Sequence, residues 1–401
     1  MPDLKTTHLA LHGGTPVRTA LLPYGRHQID ADDVAAVAAV LQSDWLTSGP
    51  MVATFERAVA HVAGTAEAVA VNSGTAGLHA AMFALGVGPG DEVIVPPMTF
   101  AATANAVVYQ GGTPVFADVD PDTLLIDPAR VQEKITPRTK AIIAVDYAGQ
   151  LCDYDALRAV LAGRRLPIVS DSCHAIGARD AGRLIGSLAD LAVFSFHPVK
   201  HVTTAEGGAI VTQDGALASR MRAFRNHGIT VDHQQRQAQA SWEYEIVELG
   251  YNYRLTDLQC GLGVSQLGKL GAGIDRRQAI AAEYRRSFDG LPGVQPLAVR
   301  TGASHAYHLF VVRVDFSRLS CDRATAFAAL RREGIGVNVH YIPVHWHPFY
   351  RRQFGTGPGL CPVAEAAYEQ ILSLPMFPGM SDADVRDVVD AVTKVIDAFS
   401  V

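Results

Sequence analysis

The sequence predicts an α/β fold built on a largely parallel sheet, with a second and smaller domain, and three observations lead there. Apolar runs of strand length alternate with amphipathic segments of helical period, the pattern of buried strands joined by crossover helices. At 401 residues, 48% hydrophobic and 18% charged, the chain exceeds what one core can use, since single cores stop growing near ~250–300 residues. The texture also changes after about Leu267, which divides a large domain over 1–266 from a small C-terminal α/β domain over 267–401.

Taken in order, DADDVAAVAAVLQSD from Asp30 reads as a helix opened by acidic residues, which suit the positive end of the helix dipole. EAVAV, DEVIVPP, TPVFADV, KAIIAVDY and LPIVSD read as strands, with TAGLHAAMFAL and DYDALRAVLAGR as helices between them. GVGPGD from Gly86 precedes a strand and lacks the glycine spacing of a dinucleotide fingerprint, so it reads as a turn. Past Leu267 come a helix through DRRQAIAAEYRRSFDGL, a strand at AYHLFVVRVD and a helix at DRATAFAALRREG.

Composition excludes several classes of function. Lys plus Arg number 34 against 40 Asp plus Glu, and the net charge of -6 gives no reason to expect nucleic acid or an anionic membrane as partner. The five cysteines, Cys152, Cys173, Cys260, Cys321 and Cys361, are scattered and form no CxxC pair. That argues against a disulfide framework or cysteine metal site and fits a reducing cytoplasm. No apolar stretch approaches ~18 residues and the N-terminus lacks a secretory pattern, so the chain reads as soluble and unexported. His340, His345 and His347 have no further ligand spaced with them to complete a metal site.

Three features carry chemistry. In VNSGTAGLHAAMFAL a strand runs through Asn72, Ser73, Gly74 and Thr75 into a helix; free N–H groups and the dipole there make an anion site, though ordinary N-capping has the same pattern. In LPIVSDSCHAIGA, Asp171 ends an interior strand, where a carboxylate faces the crevice in which α/β proteins bind ligands or else caps the next element. In FSFHPVKHVTTAEGGAIV, Lys200 follows Ser195 by five residues, and Gly207 and Gly208 permit a close backbone approach. An anion cradle, an interior aspartate and a loop lysine together match the needs of pyridoxal 5'-phosphate. The lysine amine takes the aldehyde, the aspartate keeps the ring nitrogen protonated, and the cradle holds the phosphate.

The same motifs resemble the DegT-type sugar-nucleotide aminotransferases, which share the aspartate aminotransferase fold, type I of the pyridoxal-phosphate enzymes. The resemblance extends from LPYGRHQIDADDVAAVAAVLQSDWLTSGP through VNSGTAGLHAA, PPMTFAATANAV, SDSCHAIGA, FSFHPVK, TTAEGGAIVT, FRNHGI, LGYNYRLTDLQCGLGVSQL and VHYIPVH to SLPMFPGM. It implies a seven-stranded sheet between helices, with Lys200 catalytic, Asp171 on the pyridine nitrogen and His174 near the phenolic oxygen of the cofactor. Phe100 takes the place of the aromatic that stacks on the ring, and Gly74, Thr75 and Ser195 hold the phosphate. Asn252 is implied to reach the active site of the other subunit of a homodimer. At the pocket mouth the resemblance sets Tyr24, Thr47, Ser48, Gly49, His340, Tyr341, Ile342 and Pro343 against the nucleotide sugar.

Within the family, VDYAGQ, SDSCHA, FHPVK and TTAEGG most resemble the enzymes of the pseudaminic acid pathway. These imply ping-pong amination by L-glutamate at C4 of UDP-2-acetamido-2,6-dideoxy-β-L-arabino-hexos-4-ulose. Two rivals share the fold. A sugar 3-dehydratase carries histidine at the lysine position, but the frame of FHPVK puts Lys200, not His201, in register. A binding or regulatory protein would not need the retained lysine, aspartate and serine, and no basic helix-turn-helix segment is apparent.

Overall fold

Seven strands make the central sheet of the computed structural model, which describes residues 8–231 and 240–401. They are β1 (Glu67–Val71), β2 (Glu92–Val95), β3 (Thr113–Phe116), β4 (Thr139–Val145), β5 (Ile168–Asp171), β8 (Leu191–Ser195) and β9 (Gly208–Thr212). Their order is β1-β9-β8-β5-β4-β2-β3, with β9 antiparallel to both neighbours and the other pairs parallel. Val, Ile and Ala fill these strands and nearly every position is buried, as expected of a sheet covered on both faces. Each stretch read as a strand in this half of the chain is one, and GVGPGD forms the turn expected of it.

Helices follow local signals. Asp30 accepts the N–H groups of Asp32 and Asp33 and closes a capping box, which starts the helix Ala31–Leu41. DYDALRAVLAGR is helical only over Tyr154–Val160, because Ala162 and Gly163 turn to positive φ. The helix Leu270–Phe288 begins earlier than the sequence reading and continues almost directly from Asp257–Gly268.

Two hydrophobic cores result. The larger surrounds the seven-stranded sheet. The smaller forms between the antiparallel strands β10 (Val294–Pro296), β12 (Phe310–Val314) and β13 (Ile371–Leu374) and the helices Leu270–Phe288, Arg323–Arg332 and Asp382–Phe399, and it also takes in Leu9 and Leu22. The remaining strands, β6 (Arg179–Asp180), β7 (Arg183–Leu184) and β11 (Ala303–Ser304), form a small separate ladder. What this arrangement does for a site is simple: β1, β5 and β8 point the same way, so Asn72–Thr75, Asp171 and Ser195 gather at one edge of the sheet.

Candidate active site

At that edge lies a cavity of about 540 Å³, lined by Gly74, Thr75, Phe100, Asp171, His174, Ser195 and Lys200 from the large core and by Tyr24, His340 and Tyr341 from elsewhere in the chain. Its size suits a cofactor plus part of a substrate.

The anion cradle comes from the β1–helix junction. Ser73 caps the helix Gly74–Ala84 by accepting the Ala76 N–H at 3.0 Å, while the N–H groups of Gly74 and Thr75 donate to no group among the described residues. Capping and anion binding are therefore compatible here, since the cap satisfies one donor and leaves two. Glycine eases the turn, because a Cβ at position 74 would lie 3.0 Å from the Ser195 Cβ and 3.1 Å from the Cys173 Sγ, closer than most such contacts. Gly208 brings the first residue of β9 against the same turn; a Cβ there would lie 2.6 Å from the carbonyl of Ser73 and 2.7 Å from the Gly74 nitrogen.

Asp171 is 6% exposed. Its Oδ2 accepts the Thr103 hydroxyl at 2.7 Å and its Oδ1 the Cys173 N–H at 3.3 Å, and it forms no ion pair with a described residue. Turns rather than a helix follow it, so it does not cap a helix. A buried carboxylate without a cation is costly unless a positively charged ligand completes it. Lys200 also lacks an ion pair among the described residues. Burial lowers its amine from the usual lysine range, with the Cys173 thiol and the Asp171 carboxylate opposing that shift.

His174 shares a hydrogen bond of 3.1 Å between its Nε2 and the Tyr341 hydroxyl, and burial, then the charge of Lys200, holds it well below the normal imidazole range. Phe100 is 62% exposed, a large apolar ring left open at the cavity, 6.2 Å from the ring of Tyr341. His340 is fixed by Ser373 at 2.8 Å and lies 5.4 Å from the ring of Tyr24. His201 turns from the cavity and shares its Nε2 with the carbonyl of Ala306 at 2.9 Å, whereas Lys200 lines it. His345 pairs with Glu365 at 2.8 Å.

Several expected residues do not line this cavity. Thr47, Ser48 and Gly49 line a second one of about 690 Å³ with Arg225, Asn226 and Arg254, because the Gly49 N–H is tied to Asp257 at 2.7 Å. Asn252 is exposed and bridges Asn226 through its backbone, and Ile342 and Pro343 also stand outside the cavity. Conversely, Thr99, Cys173, Glu206, His308 and Asn338 line it without having been singled out. His308 sits just before β12, where one histidine ahead of an apolar run was the available signal.

Pyridoxal 5'-phosphate fits these residues. Two free helix N–H groups face its phosphate needs, an uncompensated carboxylate its ring cation, and an unpaired amine its aldehyde.

Comparison with known proteins agrees. The profile of the DegT/DnrJ/EryC1/StrS aminotransferase family matches residues 27–393. The spore coat polysaccharide biosynthesis protein SpsC of Bacillus subtilis is 42% identical over 381 residues, 94% of this chain and 98% of that protein. Among solved structures, the putative sugar aminotransferase Spr1654 from Streptococcus pneumoniae in its PMP-form superposes with a TM-score of 0.88 at 34% identity, covering 94% of this chain and 99% of that one. Helicobacter pylori PseC, an aminotransferase involved in the biosynthesis of pseudoaminic acid, does so with a TM-score of 0.88 at 32% identity, covering 94% and 100%.

Proposed function

The chain belongs to the DegT/DnrJ/EryC1/StrS aminotransferase family and is a pyridoxal-phosphate-dependent sugar aminotransferase, and we propose that it moves an amino group from L-glutamate to C4 of a UDP-linked 4-keto-6-deoxy-N-acetylhexosamine in pseudaminic acid biosynthesis. The observation that carries the chemistry is that the Lys200 amine and the Asp171 carboxylate, neither of them in an ion pair with a described residue, share one cavity. The motifs VDYAGQ, SDSCHA, FHPVK and TTAEGG support the sugar, as does the likeness to PseC.

When bound, the cofactor supplies an aldehyde that accepts the donor's nitrogen and a cationic ring that draws off the electrons freed at the reacting carbon. The protein's part is positioning and proton transfer. Gly74 and Thr75 N–H groups and Ser195 would hold the phosphate, Phe100 would pack against the ring, and Asp171 would keep the ring nitrogen protonated. The Nζ of Lys200 would hold the aldehyde and, as a free amine, would serve as the base and acid that moves a proton between the donor Cα and the sugar C4. Burial suits it for this, because desolvation lowers its pKa and so raises the share of neutral amine at a given pH. Tyr24, His340 and Tyr341 meet the nucleotide sugar from this chain. In this reading Asn252 serves the neighbouring subunit, so a cytoplasmic homodimer is the smallest active unit.

The test is incubation of the loaded enzyme with L-glutamate and a panel of UDP-, TDP- and GDP-linked 4-keto sugars, following 2-oxoglutarate release and product mass. Amination of the UDP-linked N-acetyl sugar is expected. Transfer only to a sugar on another nucleotide would overturn the substrate, and release of 2-oxoglutarate with none of them would overturn the whole assignment.

A further inference from the structure

We infer that Thr103, oriented by Thr99, is a positioning residue that fixes the plane of the Asp171 carboxylate for the cationic ring of the cofactor. The inference rests on the assignment of Asp171 to the ring nitrogen. Thr103 is fully buried at 0% exposure, on the first turn of the helix Ala102–Tyr109. Its Oγ1 lies 2.7 Å from the Asp171 Oδ2 and 2.6 Å from the Oγ1 of Thr99.

Proton counting gives this chain a direction. An ionised carboxylate only accepts, and each threonine hydroxyl has one proton to give. Thr103 therefore donates to Asp171, and the contact with Thr99 requires that Thr99 donate to Thr103. Such a bond, to a charged group in a buried setting, is among the stronger kinds.

The aspartate needs an external restraint. Its terminal torsion joins sp³ and sp² carbons and has only a broad, roughly two-fold preference, so rotamer choice alone leaves the carboxylate plane loose. Its other contacts from the described residues are the 3.3 Å bond from the Cys173 N–H and an interaction with the Cys173 thiol. Thr103 thus supplies the short contact that decides the plane. Because Phe100 lies between Thr99 and Thr103 in the same segment, with the Thr103 N–H bonded to the Phe100 carbonyl at 3.2 Å, one piece of chain sets both the face and the nitrogen edge of the ring.

The experiment compares Thr103→Val, Thr103→Ser, Thr99→Val and Asp171→Asn. Four readouts are used: melting of the cofactor-free protein, the dissociation constant of pyridoxal 5'-phosphate by fluorescence titration, the rate of the glutamate half-reaction, and the pH midpoint of the bound cofactor's visible absorbance. Thr103→Val should stay folded with a somewhat lower melting temperature, slow the half-reaction roughly ten- to a hundredfold, as expected for loss of a hydrogen bond to a charged group, and move the absorbance midpoint upward. Serine should restore both, and Thr99→Val should shift both in the same sense by less. A folded Thr103→Val with wild-type rate and midpoint, beside a crippled Asp171→Asn, would overturn the role of Thr103 alone; a melting loss without a midpoint shift would overturn it equally. If Thr103→Val does not fold, an unshifted midpoint in Thr99→Val decides against the inference. Wild-type behaviour of Asp171→Asn would instead overturn the reading of Asp171 from which it starts.

Discussion

Lys200 is half-buried and forms no ion pair with a described residue, and that separates it from a surface lysine. Its amine is lowered by burial, with Cys173 and Asp171 as partial compensation, which leaves more neutral base at a given pH than a free lysine would have. We predict that Lys200→Ala yields a folded protein that still takes up pyridoxal 5'-phosphate in the cradle but lacks the absorbance of the lysine-linked form. Turnover should fall roughly a thousandfold or more, within the range lost with a positioned proton-transfer group. Wild-type absorbance and turnover in the folded variant would refute the role. At this scale the residue types were legible only in combination, because the cradle, the aspartate and the lysine each had an ordinary structural use alone. Thr103 was not: a threonine inside ATANAVVY is one polar residue among small ones, and only the fold brings it to Asp171.

At the scale of elements, the helix Gly74–Ala84 carries both the cradle and a concealed titratable group. It is buried almost all round, and His79 within it is pushed down to about 4 by burial. Gln110 meets its Nε2 at 2.7 Å and the Tyr253 hydroxyl its Nδ1 at 3.2 Å. With the Gln110 amide donating, the ring is neutral and carries its proton on Nδ1. Since the unfolded chain regains the ordinary value of 6.5, it takes up the proton first as pH falls, and stability is lost between about 6.5 and 4. The slope is at most ~1.4 kcal/mol per pH unit for this group, and above the ordinary value it vanishes. Denaturant unfolding from pH 7.5 to 4.5 should show that loss, and His79→Gln should flatten it; an unchanged slope would mean that His79 titrates normally. The junction of β9 with the turn after β1 gives a second prediction. Gly208→Ala places a Cβ against backbone, which cannot swing aside as a side chain would. Affinity for pyridoxal 5'-phosphate should fall at least tenfold, by equilibrium dialysis, with more loss than at Gly215, where a Cβ meets nothing within 4 Å. Equal effects at the two glycines would show that the cradle tolerates displacement.

For the whole molecule, the distribution of apolar surface favours assembly. Trp242 is 83% and Leu249 80% exposed, with Ile246 and Val247 also open between them, in the stretch that leads to Asn252. Water-exposed apolar side chains in this number along one segment are costly for a monomer and suit an interface. A mass twice 42.8 kDa is expected by light scattering. The stronger test is functional. Mixing inactive Lys200→Ala chains with inactive Asn252→Trp chains should give heterodimers in which one site bears both lesions and the other neither, so activity returns. No recovery despite verified heterodimers would place Asn252 in its own chain's site.

The sequence by itself determined the fold class, most strands of the large sheet and the cofactor. Each depends on short-range order: periodicity selects strand or helix, and Ser73–Thr75, Asp171 and Lys200 each sit in a motif whose residues are neighbours in the chain. Only the tertiary structure decided which of these share a cavity. The parallel course of β1, β5 and β8 gathers residues about a hundred positions apart at one edge, while Thr47–Gly49, drawn to Asp257, line a different space. Burial did the rest. The lowered amine of Lys200 comes from lost solvent, and the amount of solvent lost is set by packing between distant segments, which no local pattern encodes.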